Sequence, residues 1–358
     1  MTANVVSVVR PQELVESQLS AWRDFQLADE RLANPFLAPE FTLAVGRARS
    51  NARVAVIESG GTLAGFFPFE RGALGVGRAM GSGLADCQAV VHAPDLRLEA
   101  QDLTAGCGLA ALEFDHLLAH QTAFAPYHVA SNPSPVIDVS SGFEHYIAER
   151  SRLDKEVRRN ERILERDFGP VTFDFDARDA ECLRLLMRWK SAQYRRTGRF
   201  DRFANRSVVQ VVESLMQTRA SGCAGILSVL YAAGQPVAIH FGLRSRTVLS
   251  SWFPAYDVKF ARYSPGLVLL RRIAEASAAS GLFRIDLGKG HEKYKEQFKN
   301  RDIAVAEGWV DRPTPAAVLR RVQRMPRRFL VDFVLSRPAL RRGARRALRG
   351  LGYVRNMG

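Results

Sequence analysis

An internal repeat limits the fold more than any other feature of the chain. "VAVIESGGTLAGFFPFER", from Val54, and "LSVLYAAGQPVAIHFGLR", from Leu227, are each two apolar runs around a glycine turn, the pattern of a hairpin. Gly61 falls on Gly234, an offset of 234 − 61 = 173. "LSAWRDFQLADERLANPF" around Trp22 matches "LMRWKSAQYRRTGRFDRF" around Trp189, an offset of 189 − 22 = 167. "AGCGLAALEFDHLL" around Asp115 matches "AASGLFRIDLGKG" around Asp286, an offset of 286 − 115 = 171. Three matches in one order argue for a duplicated α/β unit.

Each copy reads helix, strand, strand, strand, helix, strand. In the second, the expected helices start near Asp176 as N-cap and span 206–220. Strands are expected at 225–232, 236–243, 247–253 and 283–287, with a helix from Pro265 to near Gly281. Proline at the first helical position and glycine past the end support that last helix. "SNPSPVIDVSSG" is rich in turn formers and reads as the boundary, dividing the chain into 1–135, 136–312 and a tail, 313–358. Ser141 and Glu144 form a capping-box pattern, and 151–167 reads as a charged, solvated helix with a basic face.

The chain's 358 residues suit about two domains, and its net charge is +14. Residues 313–358 hold twelve arginines and one acid, so the tail carries 12 − 1 = +11 and the rest only 14 − 11 = +3. The basic character therefore describes the tail and says little about the body's ligand. No apolar run reaches the ~20 residues of a membrane span, and the N-terminus lacks a signal-peptide pattern. Four widely separated cysteines make no zinc spacing and read as free thiols in a reducing cytoplasm. His116 and His120, with Glu113, lack a third ligand in helical register, so no metal is expected.

Two segments of the second copy compete for chemistry. "RYSPG" opens a helix whose N–H groups suit a phosphate, with Arg262, Ser264, Pro265 and Gly266 around it. "FRIDLGKGHEKYKEQFK" places Asp286 in an apolar strand just before Gly288 and Gly290. A lone Gly-x-Gly is a weak phosphate signal, so these glycines read as a sharp turn that exposes polar residues to a substrate. His240 lies mid-strand between Ile239 and Phe241, and is expected on a strand neighbouring that of Asp286. Tyr256, Tyr263 and Tyr294 are candidate proton donors or acceptors.

"WKSAQYRRTGRFDRF", "GQPVAIHFGLR", Tyr263-Ser264-Pro265-Gly266 and Asp286-x-Gly288-x-Gly290-x-Glu292-x-Tyr294-Lys295 resemble the CelD-like acyltransferases of the GNAT (acyl-CoA N-acyltransferase) superfamily. The resemblance covers about residues 20–312 and extends to the Fem-type aminoacyltransferases, which carry two GNAT units. It implies two tandem α/β (α+β) units, each a mixed, mostly antiparallel sheet flanked by helices, with the active site in the second. It implies acetyl-CoA or another acyl-CoA as co-substrate and no metal, and an amine acceptor, an amino sugar of a surface polysaccharide. Under it, Asp286 is the first candidate base and His240 the second. Tyr294 or Tyr263 protonates the leaving thiolate, and Arg262, Ser264, Pro265 and Gly266 hold the pyrophosphate. His291, Glu292, Lys295 and Tyr256 bind the acceptor. The usual pyrophosphate loop carries a second glycine or alanine that this chain lacks. At an offset of 171 the first copy has Leu117 and Ala119 for Gly288 and Gly290, and reads as a scaffold that helps form the acceptor cleft.

The tail alternates arginine clusters with apolar residues from Phe329 to Leu335, a pattern suited to an anionic membrane surface. The expected location is the cytoplasm, at the inner face of the membrane, and nucleic acid is not an expected partner. Alternative functions are a Fem-like transferase using aminoacyl-tRNA, or a non-catalytic protein on the same scaffold binding a nucleotide such as a cyclic dinucleotide.

Overall fold

The hairpin turns that revealed the repeat also show why the strands pair as they do. Gly60 and Gly61 have φ of 60° and 79°, and Ala233 and Gly234 have 48° and 76°. Positive φ at both central positions is the turn whose twist matches antiparallel strands, so both copies fold back at the same place. The structure is a computed structural model that describes residues 4–312; the tail expectations lie outside the described residues.

The first copy runs β1 (Asn4–Val9), α1 (Glu16–Ala28), α2 (Pro39–Ala48), β2 (Ala52–Ser59), β3 (Thr62–Arg71), β4 (Val76–Ala79), β5 (Val91–His92), α3 (Ala100–Gly106), β6 (Ala111–Leu118) and β7 (His128–Asp138). Two helices, α4 (Phe143–Ala148) and α5 (Ser151–Phe168), lead into the second. That copy runs β8 (Val171–Asp174), α6 (Ala180–Thr197), α7 (Arg206–Gln217), β9 (Ala224–Ala232), β10 (Gln235–Arg244), β11 (Val248–Tyr256), α8 (Pro265–Ala279), β12 (Arg284–Asp286), α9 (Lys293–Phe298) and β13 (Arg301–Asp311).

All but β5 follow one path through a single sheet, β1-β2-β3-β4-β6-β13-β7-β12-β11-β10-β9-β8, and β5 pairs with β3. The order exposes an exchange. The first copy's last strand, β7, pairs with β12 of the second, and the second copy's last strand, β13, pairs with β6 of the first. The two exchanged strands also pair with each other. The register fixes the repeat at 173 within the sheet. Asp286 lies opposite Val136, and 173 residues earlier Glu113 lies opposite Trp309, itself 136 + 173. The partner of Asp286 in the first copy is therefore Glu113, not Asp115, and Gly288 corresponds to Asp115.

The segment expected to be a linker is thus largely strand. "SNPSPVID" completes β7, and a boundary at 135/136 falls inside it. Its prolines fit because the Pro135 carbonyl accepts from the Leu287 N–H at 2.9 Å, so its missing N–H lies on that same side, just past the end of β12. Two caps also differ from expectation. The cap of α6 is Asp179, whose carboxylate accepts from Glu181 and Cys182, because Asp176 precedes the helix by a full turn. The cap of α4 is Gly142, with no side-chain bond from Ser141.

Helices α1, α2, α6 and α7 cover the sheet in one core shared by both copies. Trp22 stacks on Phe66 at 4.7 Å. Trp252 of the second copy meets Phe36 and Phe41 of the first edge-on at 5.3 and 6.2 Å. Truncating such buried aromatics costs about 3–5 kcal/mol each. Two further cores lie under α3 and under α4, α5 and α8. All four cysteines are buried and free.

Candidate active site

The site begins as a defect in strand pairing. β11 and β12 run parallel, but pair only through Val248–Arg284, Leu249–Ile285 and Ser250–Asp286. β12 then ends, while β11 continues to Tyr256 paired with β10 alone. A bulge places Trp252 between residues paired to Phe241 and Gly242. An extra residue bends a strand and increases its twist, which turns β11 away from β12. The result is a wedge between the two strands, with one edge of β11 unpaired beyond Ser250.

The chain leaves β11 and enters α8 nine residues later. Ser264, just before Pro265, is left-handed at φ 50° and ψ 49°, and gives the helix no side-chain cap. The first turn of α8 holds no acid, so its N–H groups and positive dipole end suit an anion. Gly266 lies against Tyr256, whose ring carbon would be 3.6 Å from an added Cβ. Arg262 is exposed and pairs with Asp167 at 3.3 Å. Tyr263 is buried and donates to the same carboxylate at 2.8 Å, which lowers the Asp167 pKa.

The two candidate bases sit elsewhere. His240 and Asp286 are not on neighbouring strands, because β11 lies between β10 and β12. Asp286 is buried and saturated. It accepts from Ser134 at 2.7 Å, from the Gly288 N–H at 3.0 Å and from Asn34 at 3.0 Å. Asn34 also accepts from Ser250 at 3.2 Å. Burial raises the Asp286 pKa, against those hydrogen bonds. One carboxylate thus joins the first copy, the exchanged strand and its own loop, the work of a structural centre. His240 is buried, with Nε2 3.0 Å from Ser251, and burial pushes its pKa down to about 3. It is a neutral ring near the base of the wedge.

Beyond Asp286 the chain turns at glycine, but the turn leaves Asp286 buried instead of exposing it. Gly288 is left-handed at φ 72°, and an added Cβ would lie 3.2 Å from an Asp86 oxygen. Lys295 is buried, donating to the Gly288 carbonyl at 3.0 Å and pairing with Glu292 at 3.2 Å. It holds the loop rather than facing solvent. Glu292 also lies 3.9 Å from Arg199, and His291 is exposed. Tyr294 is half-buried; burial raises its pKa, as do the charges of Glu292 and Asp86. Tyr256 stands at the far end of β11, lining a slot of about 100 Å³ with Trp189, Gln193 and Arg196. The structure therefore gathers Glu292, Tyr294 and Lys295 on the loop that Asp286 anchors, and puts Tyr256, Gly266 and Ser264 at the helix end.

Three participants went unread in the sequence. Lys190 and Tyr194 are on α6, and Asp86 is on the first copy. Lys190 donates to the Pro254 carbonyl of β11 at 2.9 Å and lies 5.4 Å from the centroid of the Tyr194 ring. The signal for it was the i, i+4 pairing of a lysine and a tyrosine in "WKSAQY", which an otherwise arginine-rich helix disguised. Asp86 left no local signal, since only the fold brings it to Gly288. Among the described residues no His, Cys, Asp or Glu cluster is arranged for a metal.

Residues 151–296 match the family model described as an acetyltransferase (GNAT) domain. Among solved structures, the chain is similar to the C-terminal domain of a protein described as a lysylphosphatidylglycerol synthetase from Agrobacterium fabrum. Identity is 13%, coverage is 85% of this chain and 95% of that one, and the TM-score is 0.54. It is also similar to a conserved protein of unknown function from Bacteroides thetaiotaomicron, at 12% identity, 84% and 100% coverage and a TM-score of 0.55. A tandem GNAT protein from the clavulanic acid pathway matches at 11% identity, 87% and 100% coverage and a TM-score of 0.48. A search among curated proteins found no match.

Proposed function

We propose that the second copy, in which residues 151–296 match the acetyltransferase (GNAT) family model, transfers an acyl group from acyl-CoA to an amine, an amino sugar of a surface polysaccharide. The observation that carries the reading is the wedge: β11 parts from β12 after three paired residues and leads to an uncapped, acid-free helix start. The donor's pyrophosphate lies at the N–H groups of Gly266 and the following turn. Its thioester lies along the free edge of β11, where a backbone N–H supports the carbonyl oxygen as charge develops there. One such donor commonly contributes ~3 kcal/mol.

The acceptor approaches from the α6 side, between Glu292, Tyr294 and Asp86. Two acids there suit an ammonium group and sugar hydroxyls, and the CelD-like motif favours a polysaccharide amine. The protein works at the cytoplasmic face of the membrane that carries this polymer. Isothermal titration with acetyl-CoA tests the donor, with a dissociation constant at or below the micromolar range expected. Mass spectrometry of D-glucosamine and other amines incubated with acetyl-CoA and protein tests the acceptor. Absence of binding by acetyl-CoA and by longer acyl-CoAs overturns the reading.

The aminoacyl-tRNA alternative drew on the basic face of α5. There, Asp154 pairs with Arg158 and Arg271, Glu161 with Arg272, and Asp167 with Arg166 and Arg262. Of the basic residues on that face before Arg166, only Arg158 is paired among the described residues, so the face keeps positive charge, and salt-dependent binding of charged tRNA tests this second reading.

A further inference from the structure

The transfer needs a group that removes a proton from the acceptor ammonium, and both candidates read from the sequence are committed elsewhere. Asp286 holds three hydrogen bonds on the face toward Asn34, and His240 is buried against Ser251. The wedge offers a different group. Lys190 reaches from α6 to the Pro254 carbonyl, on the part of β11 that β12 no longer accompanies. Resting on the acyltransferase reading above, we propose that Lys190 is the proton acceptor for the attacking amine, held at the open stretch of β11 by its bond to Pro254.

The surroundings favour a neutral lysine. Arg199 and Arg202 follow its own helix, and Lys295 faces it from α9, while Glu292 opposes them. Tyr194 flanks it on α6 and His240 on β10, the latter neutral. Burial, then these cations, push the Lys190 pKa down to about 8. A neutral amine donates one hydrogen to Pro254 and keeps a lone pair for the substrate.

The step balances without a further reagent. Lys190 Nζ takes a proton from R–NH3+, and the freed R–NH2 attacks the thioester carbon. The C–N bond forms and the C–S bond breaks. The second proton on the attacking nitrogen goes to the departing CoA thiolate, and Lys190 returns its own proton to water.

The test uses the full-length protein and two variants, Lys190→Met and Lys190→Arg. Arginine keeps the charge and a donor for Pro254 but holds its proton across the working range. Both variants are expected to bind acetyl-CoA within threefold of the parent by titration calorimetry. CoA release from acetyl-CoA with D-glucosamine should rise through an inflection near pH 8 in the parent. In both variants kcat should fall on the order of a hundredfold and the inflection should vanish. A Lys190→Arg protein that keeps kcat within threefold, or keeps the inflection, overturns the proposal.

If D-glucosamine is not acylated, competitive labelling with acetic anhydride decides. Lys190 should react with an inflection near pH 8 and should be shielded at least fivefold by acetyl-CoA. An unshielded Lys190 in a protein that binds acetyl-CoA sinks the proton-acceptor role and leaves the donor reading standing. If acetyl-CoA does not bind, the donor reading fails, and this proposal with it.

Discussion

The two copies differ where they should agree if both bound a donor. In the second, nothing among the described residues rejoins β11 to β12 after Ser250. In the first, β4 pairs with β6 for two residues, and the chain then makes an excursion and returns. Gln88 bonds to both sides of Leu117, its N–H to the His116 carbonyl and its own carbonyl to the Leu118 N–H, each at 2.9 Å. Three residues on, β5 joins β3. The wedge of the first copy is thereby sewn shut. The helix that follows is also changed. α3 has seven residues, Glu99 at its cap and Asp102 in its first turn, whereas α8 has fifteen and no acid there. Carboxylates at a helix start take the place a phosphate would occupy.

The closing excursion has a second use. Leu84 accepts from Trp252 Nε1 at 2.9 Å, and Asp86 packs at Gly288, so the same residues form a wall of the open wedge. The copy whose wedge is closed thus walls the open wedge of the other.

The sharpest way to break this comparison is to separate the copies. Expressed apart, residues 1–138 and 139–358 each lack a strand that the other supplies. Neither should show cooperative unfolding by circular dichroism, and co-expression should restore one species on size exclusion. A folded 1–138 alone would refute the mutual dependence. Next in size is the loss of about a hundredfold in kcat expected for Lys190→Met. Asp286→Ala, by contrast, leaves the Asn34, Ser134 and Gly288 donors unpaired. At about 1–3 kcal/mol for each buried unsatisfied group, it should lower unfolding free energy by at least ~3 kcal/mol in urea titrations. The pH 8 inflection of any active fraction should remain.

His240 gives a smaller, pH-dependent effect. Its folded pKa lies below its unfolded value, so the unfolded chain binds the extra proton. Stability is then lost as pH falls from the unfolded pKa of 6.5 toward about 3, at ~1.4 kcal/mol per unit. His240→Gln should flatten that loss, read from urea midpoints at pH 7 and pH 4.5. Smallest is Gly266. Alanine there meets only ordinary contact with Tyr256, so stability should stay within ~0.5 kcal/mol. Glutamate, which imitates the acidic start of α3, should weaken acetyl-CoA about tenfold, ~1.4 kcal/mol.

The repeat, the hairpins and α8 were legible because their signals are local: alternation, paired positive-φ turns, a proline at a helix start. The strand β7 was hidden because Pro133 and Pro135 imitate a linker, and only β12's early end makes them tolerable. The separation of His240 from Asp286 depended on strand order, which no local pattern encodes. Asp286 stood out as an acid in an apolar strand, although it is buried and not exposed by the turn after it. Its role depended on Asn34, 252 residues away in sequence, so the same signal fitted a base and a structural hub equally well. Lys190 lacked any motif, since its character comes from what packs around it.

The exchange of β7 and β13 also sets an order on synthesis. When β6 leaves the ribosome its permanent neighbour, β13, is still about 190 residues from being made, which at ~5–20 residues per second is a wait of roughly 10–40 s. Throughout it the first copy presents a raw sheet edge to whatever is nearby. An edge that the finished sheet hides is thus open for as long as the second copy takes to emerge.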